Sequence, residues 1–372
     1  MQLSRFGEIT LLVISMLTIM VGAVLAPGLN SIAPALGVSE FAPLLITLPA
    51  LGAILFASFF GKIIDSVGAR KTLVIALWGY LLLGIGGIWV YGPLWVSIDR
   101  ILLGGFAAGV MASGTAIISQ WYHGKSRLSV IAKQGMAIEL GGVIILFLGG
   151  LLSEIDWRAP FLLYGLALVC LVLTAISIPR KEPETQGVTI IESGQINENL
   201  RSVLLNAVLA MSLFFSIFIT LPSHLGDLGY SEAETGYLLS FISLMAVLSA
   251  LVMPHVVNAK SEKVTLFLAF LSFAAAHAIF AIAETTSLLV VPSLFAGTGF
   301  GFSIPLLNHA TVERSSDTNM GRNLAWFAMA VFSGQFLTSA LEFLPVTDSG
   351  VFTVCGAIGI LCSVYVLKKK SN

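Results

Sequence analysis

Charge is what this chain has least of. Only 10% of its 372 residues are Asp, Glu, Lys or Arg, against 57% that are hydrophobic, whereas a water-soluble domain carries about 25% charged residues. So few charges cannot cover a water-facing surface, and the hydrocarbon of a bilayer has to act as solvent for most of the chain. The net charge of −1 argues against a nucleic-acid partner, which would call for a basic patch. Cysteine is scarce as well. Cys170, Cys355 and Cys362 each sit in an apolar stretch, without a disulfide pattern or metal-ligand spacing, and read as small apolar packing residues. The sequence also lacks a clustered His/Cys set, a nucleophile motif and a glycine-rich phosphate loop. No enzyme, metal site or cofactor is expected.

What the chain has in quantity is apolar length. Crossing roughly 30 Å of hydrocarbon takes about 20 apolar residues of helix. Charge-free stretches of that order run over 9–39, 41–61, 72–98, 101–124, 159–179, 202–226, 235–259, 264–283, 285–312, 323–341 and 349–367, and 134–153 joins them with only Glu139 inside it. The expectation is an all-α polytopic membrane protein of twelve helices. A β-barrel would show strands of about ten residues alternating in polarity, which these stretches do not. The first stretch exceeds a signal-peptide core of roughly 7–15 residues and reads as a retained first span.

Lysine and arginine set the expected orientation. With the N-terminus inside, all of the 19 basic residues except Arg100 and Arg158 fall on the inner side. An even number of spans then puts both termini in the cytoplasm of a plasma (inner) membrane protein. Trp89, Tyr91, Trp95, Trp121, Tyr122 and Trp157 lie near span ends and read as interface anchors.

The run that opens Pro179-Arg180-Lys181-Glu182-Pro183-Glu184 breaks the apolar pattern and divides six spans from six. It predicts an N-terminal six-helix bundle over 1–180, a cytoplasmic linker over 181–200 and a C-terminal six-helix bundle over 201–372. The halves echo each other: Gly105 and Gly109 in the fourth span match Gly297 and Gly301 in the tenth, each 192 residues later. Glycines four apart let helices approach closely, and with the six-plus-six count they suggest a parallel repeat, an arrangement found in transporters.

Between the second and third spans lies Gly61-Lys62-Ile63-Ile64-Asp65-Ser66-Val67-Gly68-Ala69-Arg70-Lys71. Its glycines suit a tight turn, and Arg70 and Lys71 suit the inner face. The spacing Gly-x3-Asp-x2-Gly-x-Arg-Lys at this place resembles the signature loop of the major facilitator superfamily. The resemblance covers essentially the whole chain through span count, linker and loop. It implies two six-helix bundles working by alternating access as a monomer, with Asp65 and Arg70 helping to latch the inner ends of the halves. The matching loop over 254–263 has Asn258 where the aspartate would stand, so the latch is expected to be stronger in the first half.

Two further stretches resemble the drug:proton antiporter branch of that family. Asp99-Arg100, opening the fourth span before Gly104 and Gly105, is similar to the pattern of proton-linked members. The fifth span carries Gly141-Gly142 and Gly149-Gly150, like the antiporter motif, but has Ile145-Leu146 where that motif has Gly-Pro.

Glu139 is the most informative single residue. An acidic side chain near mid-membrane costs at least about 2.5 kcal/mol, so it needs a cavity or a partner. A carboxyl that alternates between charged and neutral forms is what proton coupling requires; a pairing with Lys133 is the competing explanation. Arg100 stays charged and must pair, and is expected to tune the proton affinity of Asp99 or Glu139. Asn30, between Pro27 and Pro34 where a prolyl break would expose backbone carbonyls to a cavity, together with Phe214, Phe218, His277 and Gln335, are candidate substrate-cavity residues, with packing as the competing reading. The expected function is secondary transport: proton-coupled export of a small, partly apolar organic compound (drug, metabolite or siderophore-like). The alternative is a facilitator or importer of a small solute or anion with the same fold.

Overall fold

The computed structural model describes residues 3–122, 124–180, 198–315 and 319–368. The predicted linker over 181–200 lies outside them except for its last three residues, Glu198 to Leu200, which are helical. Among the described residues there is no strand, and twelve helices are long and apolar enough to cross a membrane. The chain divides into two compact units, Met1–Glu192 and Ser193–Asn372.

The first unit holds α1 (Arg5–Ala23), α2 (Leu29–Ala35), α3 (Leu44–Val67), α4 (Ala69–Gly86), α5 (Pro93–Trp121), α6 (Gly124–Ile155) and α7 (Leu166–Ser177), the last preceded by a 3₁₀ segment, Ala159–Gly165. Here α3 and α4 pack on α5, and α1 packs on α5, α6 and α7. The second unit holds α8 (Glu198–Asp227), α9 (Glu232–Ala259), α10 (Glu262–Phe280), α11 (Thr286–Glu313), α12 (Met320–Leu337) and α13 (Asp348–Lys368). In it α11 packs on α9 and α10, α10 on α13, and α8 on α11, α12 and α13.

Local sequence explains where these helices start and stop. Ser4 caps α1 by accepting from the Gly7 amide at 3.1 Å, and Ser231 and Glu234 close a reciprocal capping box on α9. Pro93 opens α5, where its missing N–H costs nothing. Gly68 joins α3 to α4 at φ +92°, a backbone that side-chain-bearing residues avoid. The first span is broken at the prolyl segment that precedes Asn30. The break falls between Ala23 and Leu29, because Pro27 cannot donate a helical hydrogen bond.

Small residues set the closest helix contacts. A Cβ added to Gly104 would collide with the Pro49 carbonyl of α3, and one added to Gly52 would strike the Ile101 carbonyl of α5. The repeated pair plays this part in both halves: Gly105 and Gly109 receive the rings of Phe56 and Phe60, whereas Gly297 and Gly301 lie 2.5 Å, measured from an added Cβ, from the Ile242 and Ala246 carbonyls of α9. Gly141 sits on Met16 of α1, and Gly142 beside it is buried. Gly104→Val should therefore lower stability by about 3 kcal/mol through overpacking. Gly61→Ala, in a helix with open space around it, should be neutral or raise it by roughly 0.5 kcal/mol. Thermal unfolding of both variants in detergent checks the contrast.

Candidate functional site

Among the described residues of the first unit, fully buried charged side chains occur at one place. Asp99 and Arg100 are 7% and 1% exposed. They do not open the fourth span, as the charge-free count placed them; α5 begins at Pro93, and the pair sits a turn and more inside it. A boundary drawn at the first charge is wrong when the charge is compensated. Arg100 Nε and Nη2 both donate to Asp99 Oδ2, at 2.9 and 2.5 Å, and Nη1 donates to the Tyr164 hydroxyl at 3.3 Å. The guanidinium also lies 5.5 Å from the Phe161 ring centre and 5.8 Å from that of Tyr164, a cation–π arrangement. Gly87 leaves the room that its Nη2 occupies. Two tyrosines then tie this cluster to α1: the Tyr164 hydroxyl donates to the Val21 carbonyl at 2.9 Å, and that of Tyr80 to the Leu17 carbonyl at 2.8 Å. Neither tyrosine stood out in the sequence, where each reads as one more aromatic in an apolar run.

Glu139 is placed elsewhere. It is half-buried on α6 and makes no hydrogen bond or ion pair among the described residues, to Arg100 or to Lys133. Lys133 is engaged instead by Glu8 of α1, Nζ to Oε1 at 2.7 Å. The Tyr122 hydroxyl donates to the other Glu8 oxygen at 3.2 Å. Burial, and then the Glu8 carboxylate, push the Tyr122 phenol up to about 12, which keeps it a donor. Trp121 and Tyr122 are thus buried rather than interface anchors, whereas Trp89, Tyr91 and Trp95 are exposed as anchors require. Gln134 Nε2 donates to Ser15 Oγ at 3.0 Å. Gln134, Gly141 and Gly149 therefore mark the face of α6 that meets α1. At about 100° per residue, Glu139 lies roughly 140° and 160° round the helix from Gln134 and Gly141, and about 80° from Gly149.

In the signature loop, Arg70 Nε donates to the Ile178 carbonyl at 2.9 Å, tying the start of α4 to the end of the sixth span. Asp65 and Lys71 are exposed, and Gly61 lies within α3.

The candidate cavity residues are dispersed. Asn30 is exposed on α2. Phe214 and Phe218 are buried within the second unit, their rings 5.0 Å apart and Phe214 4.2 Å from Phe300 of α11. His277 is fully buried, Nδ1 2.7 Å from the Phe273 carbonyl and Nε2 2.8 Å from Ser216 Oγ. Both ring nitrogens thus already have structural partners. Gln335 is buried on α12 beside Gly334, which packs on the Val208 carbonyl of α8. The three cysteines are free and buried. Glu262, His309 and Glu313 bring ligand atoms within 4.8 Å of one another, but Arg314 already pairs with Glu262 at 3.0 Å and supplies the compensating charge.

Arg100→Ala leaves the Asp99 carboxylate buried and unpaired and should destabilise the protein by about 3–5 kcal/mol. Arg100→Lys should recover little of this, because an ammonium cannot reproduce the forked contacts. Lys133→Ala breaks an ion pair whose lysine is 47% exposed and should cost no more than about 1 kcal/mol. Unfolding midpoints of the three variants in one detergent give the ranking, and an Arg100→Ala loss as small as that of Lys133→Ala would contradict it.

Comparison with known proteins agrees with this architecture. The Major Facilitator Superfamily profile matches residues 11–339. Tetracycline resistance protein, class B, of Escherichia coli is 25% identical over 280 residues, covering 71% of this chain and 68% of that protein. Multidrug efflux protein YfmO of Bacillus subtilis is 27% identical over 333 residues, covering 82% of this chain and 80% of its own. Among solved structures, a D-xylose-proton symporter matches with TM-score 0.76 at 14% identity, over 98% of this chain and 96% of that one, a likeness of fold alone. With twelve membrane-length helices and a family match over most of its length, the chain belongs to the Major Facilitator Superfamily, a family of multi-pass membrane transporters and not of enzymes.

Proposed function

We propose that the protein is a proton-coupled exporter of a small, partly apolar organic compound, with Glu139 as the group that takes up and releases the proton. The observation that carries this reading is the state of Glu139: an acidic side chain inside a membrane span, half-buried and without a hydrogen-bond or ionic partner among the described residues. The competing explanation, a structural pairing with Lys133, loses support because that lysine is held by Glu8. Nor does the carboxyl lie on the side suited to acyl chains. Met136, Leu140, Ile144 and Phe147 form the exposed apolar stripe of α6, and Glu139 lies about 100° round the helix from the middle of it. Such a position favours a pathway over a lipid contact.

Export is favoured by the relatives, whose names record tetracycline resistance and multidrug efflux. Asp99 and Arg100 serve the same coupling from a distance, as a buried ion pair. That pairing counts against an anion site at Arg100, and so against the facilitator or importer of a small anion. The basic loops support cytoplasmic termini in a plasma (inner) membrane. Arg70, fastened to the end of the sixth span, would order the inner loop in which Asp65 and Lys71 contribute to the latch, the transporter acting as a monomer. The polar and aromatic side chains Asn30, Phe214, Phe218, His277 and Gln335 stand as the tentative substrate-contacting set.

In proteoliposomes, an imposed pH gradient should drive uptake or release of the exported compound, and Glu139→Gln should abolish that drive while the purified variant stays folded and monodisperse. Full gradient-driven transport by Glu139→Gln removes the proton assignment. Transport without proton movement in the unaltered protein favours the facilitator.

A further inference from the structure

The break in the first span leaves a helix end inside the first unit. Val24, Leu25 and Ala26 are fully buried, so water does not solvate the carbonyls that the break releases. In an unbroken helix the Leu25 amide would donate to the Val21 carbonyl; here it donates to the Gly22 carbonyl at 3.3 Å, and the Ala26 amide to that of Ala23 at 3.1 Å. Val21 has thus lost its amide donor, and the Tyr164 hydroxyl stands in its place at 2.9 Å. The same hydroxyl accepts from Arg100 Nη1 at 3.3 Å. A hydroxyl that accepts from a cation is a stronger donor onward, and a positive charge behind the cap opposes the negative end of the α1 dipole. Tyr80 makes a similar bond to Leu17, but that carbonyl lies within α1 and keeps its helical amide. The charged and titratable groups facing Arg100 are Asp99 on its own helix and Tyr164 on the sixth span; Tyr80 meets Tyr164 ring to ring at 5.6 Å.

We infer that Tyr164 is a positioning residue for transport: its hydroxyl caps the broken end of the first span and connects that break to the charge of Arg100. The connection makes the shape of the first span respond to whatever changes the Asp99–Arg100 pair. Opening and closing of a path beside the first span then requires this cap to hold in one state.

Hydrogen–deuterium exchange of the full-length protein in lipid nanodiscs, read on peptides covering 18–30, tests the inference. It needs neither substrate nor a proton gradient, so its result is independent of the role given to Glu139. Tyr164→Phe keeps the ring against Gly84 and Tyr80 and removes only the hydroxyl. Amides of the break should then exchange about tenfold faster, whereas Tyr80→Phe should change them less than about twofold. Unaltered exchange in Tyr164→Phe, or an equal effect from Tyr80→Phe, overturns the inference. If Tyr164→Phe does not fold, 3,5-difluorotyrosine at position 164 offers a stronger donor of nearly the same shape. Slower exchange then supports the cap and an unchanged rate refutes it. In transport, the positioning role predicts a lower turnover for Tyr164→Phe with KM within about twofold of the original; a rise in KM alone contradicts it.

Discussion

A guanidinium held in a low-dielectric interior keeps its charge and must find its solvation within the protein. Arg100 is 1% exposed, and much of the first unit's interior is arranged to meet that demand. Its own neighbour Asp99 neutralises it, Tyr164 and Phe161 present a hydroxyl and two ring faces, and Gly87 gives up a side chain to make room. The contacts draw α4, α5 and the start of the sixth span together, and the tyrosine hydroxyls extend the tie to α1. Buried ion pairs add little net stability, but a half-broken one is costly. The network therefore specifies where these helices sit more than it strengthens their association.

The same absence of water explains the division of labour between small and polar residues. Helices in lipid gain nothing from hiding apolar surface from one another, so close backbone approach and hydrogen bonding must hold them. Gly52 and Gly104 let α3 and α5 nearly touch, and Gly297 and Gly301 do the same for α9 and α11. Second and fourth spans in one unit, eighth and tenth in the other, thus meet by one device. Polar side chains are then spent on ties between helices, as with Ser15 and Gln134, or Ser216 and His277. Glu139 stands apart from this economy, since no tie holds it among the described residues, and that contrast makes it the candidate for work other than structure.

Much of this was legible in the sequence. Twelve apolar stretches, their lengths and the Gly-x3-Asp-x2-Gly-x-Arg-Lys loop pointed to the family, because hydrocarbon thickness and the cost of charge act on composition over some twenty residues at a time. Span edges were less legible where charge was used as the marker. Asp99 and Arg100 lie inside α5, because pairing removes the penalty that the marker assumes. Pro27 and Pro34 pointed to a break in the first span, but not to the partner that its released carbonyl finds.

Side-chain partners lay beyond what sequence could determine. Glu8 takes Lys133, leaving Glu139 without that cation, and residues 125 apart on different helices are matched by packing angle and rotation, neither of which periodicity reports. Tyr80 and Tyr164 look alike as letters in apolar runs; only the tertiary arrangement gives one a carbonyl with its amide in place and the other a carbonyl without. The sequence by itself determined that the chain is a bundle of membrane helices with a few charges kept inside. Which of those charges are neutralised was decided only when the helices packed, because compensation depends on distances of about 3 Å between residues far apart in the chain.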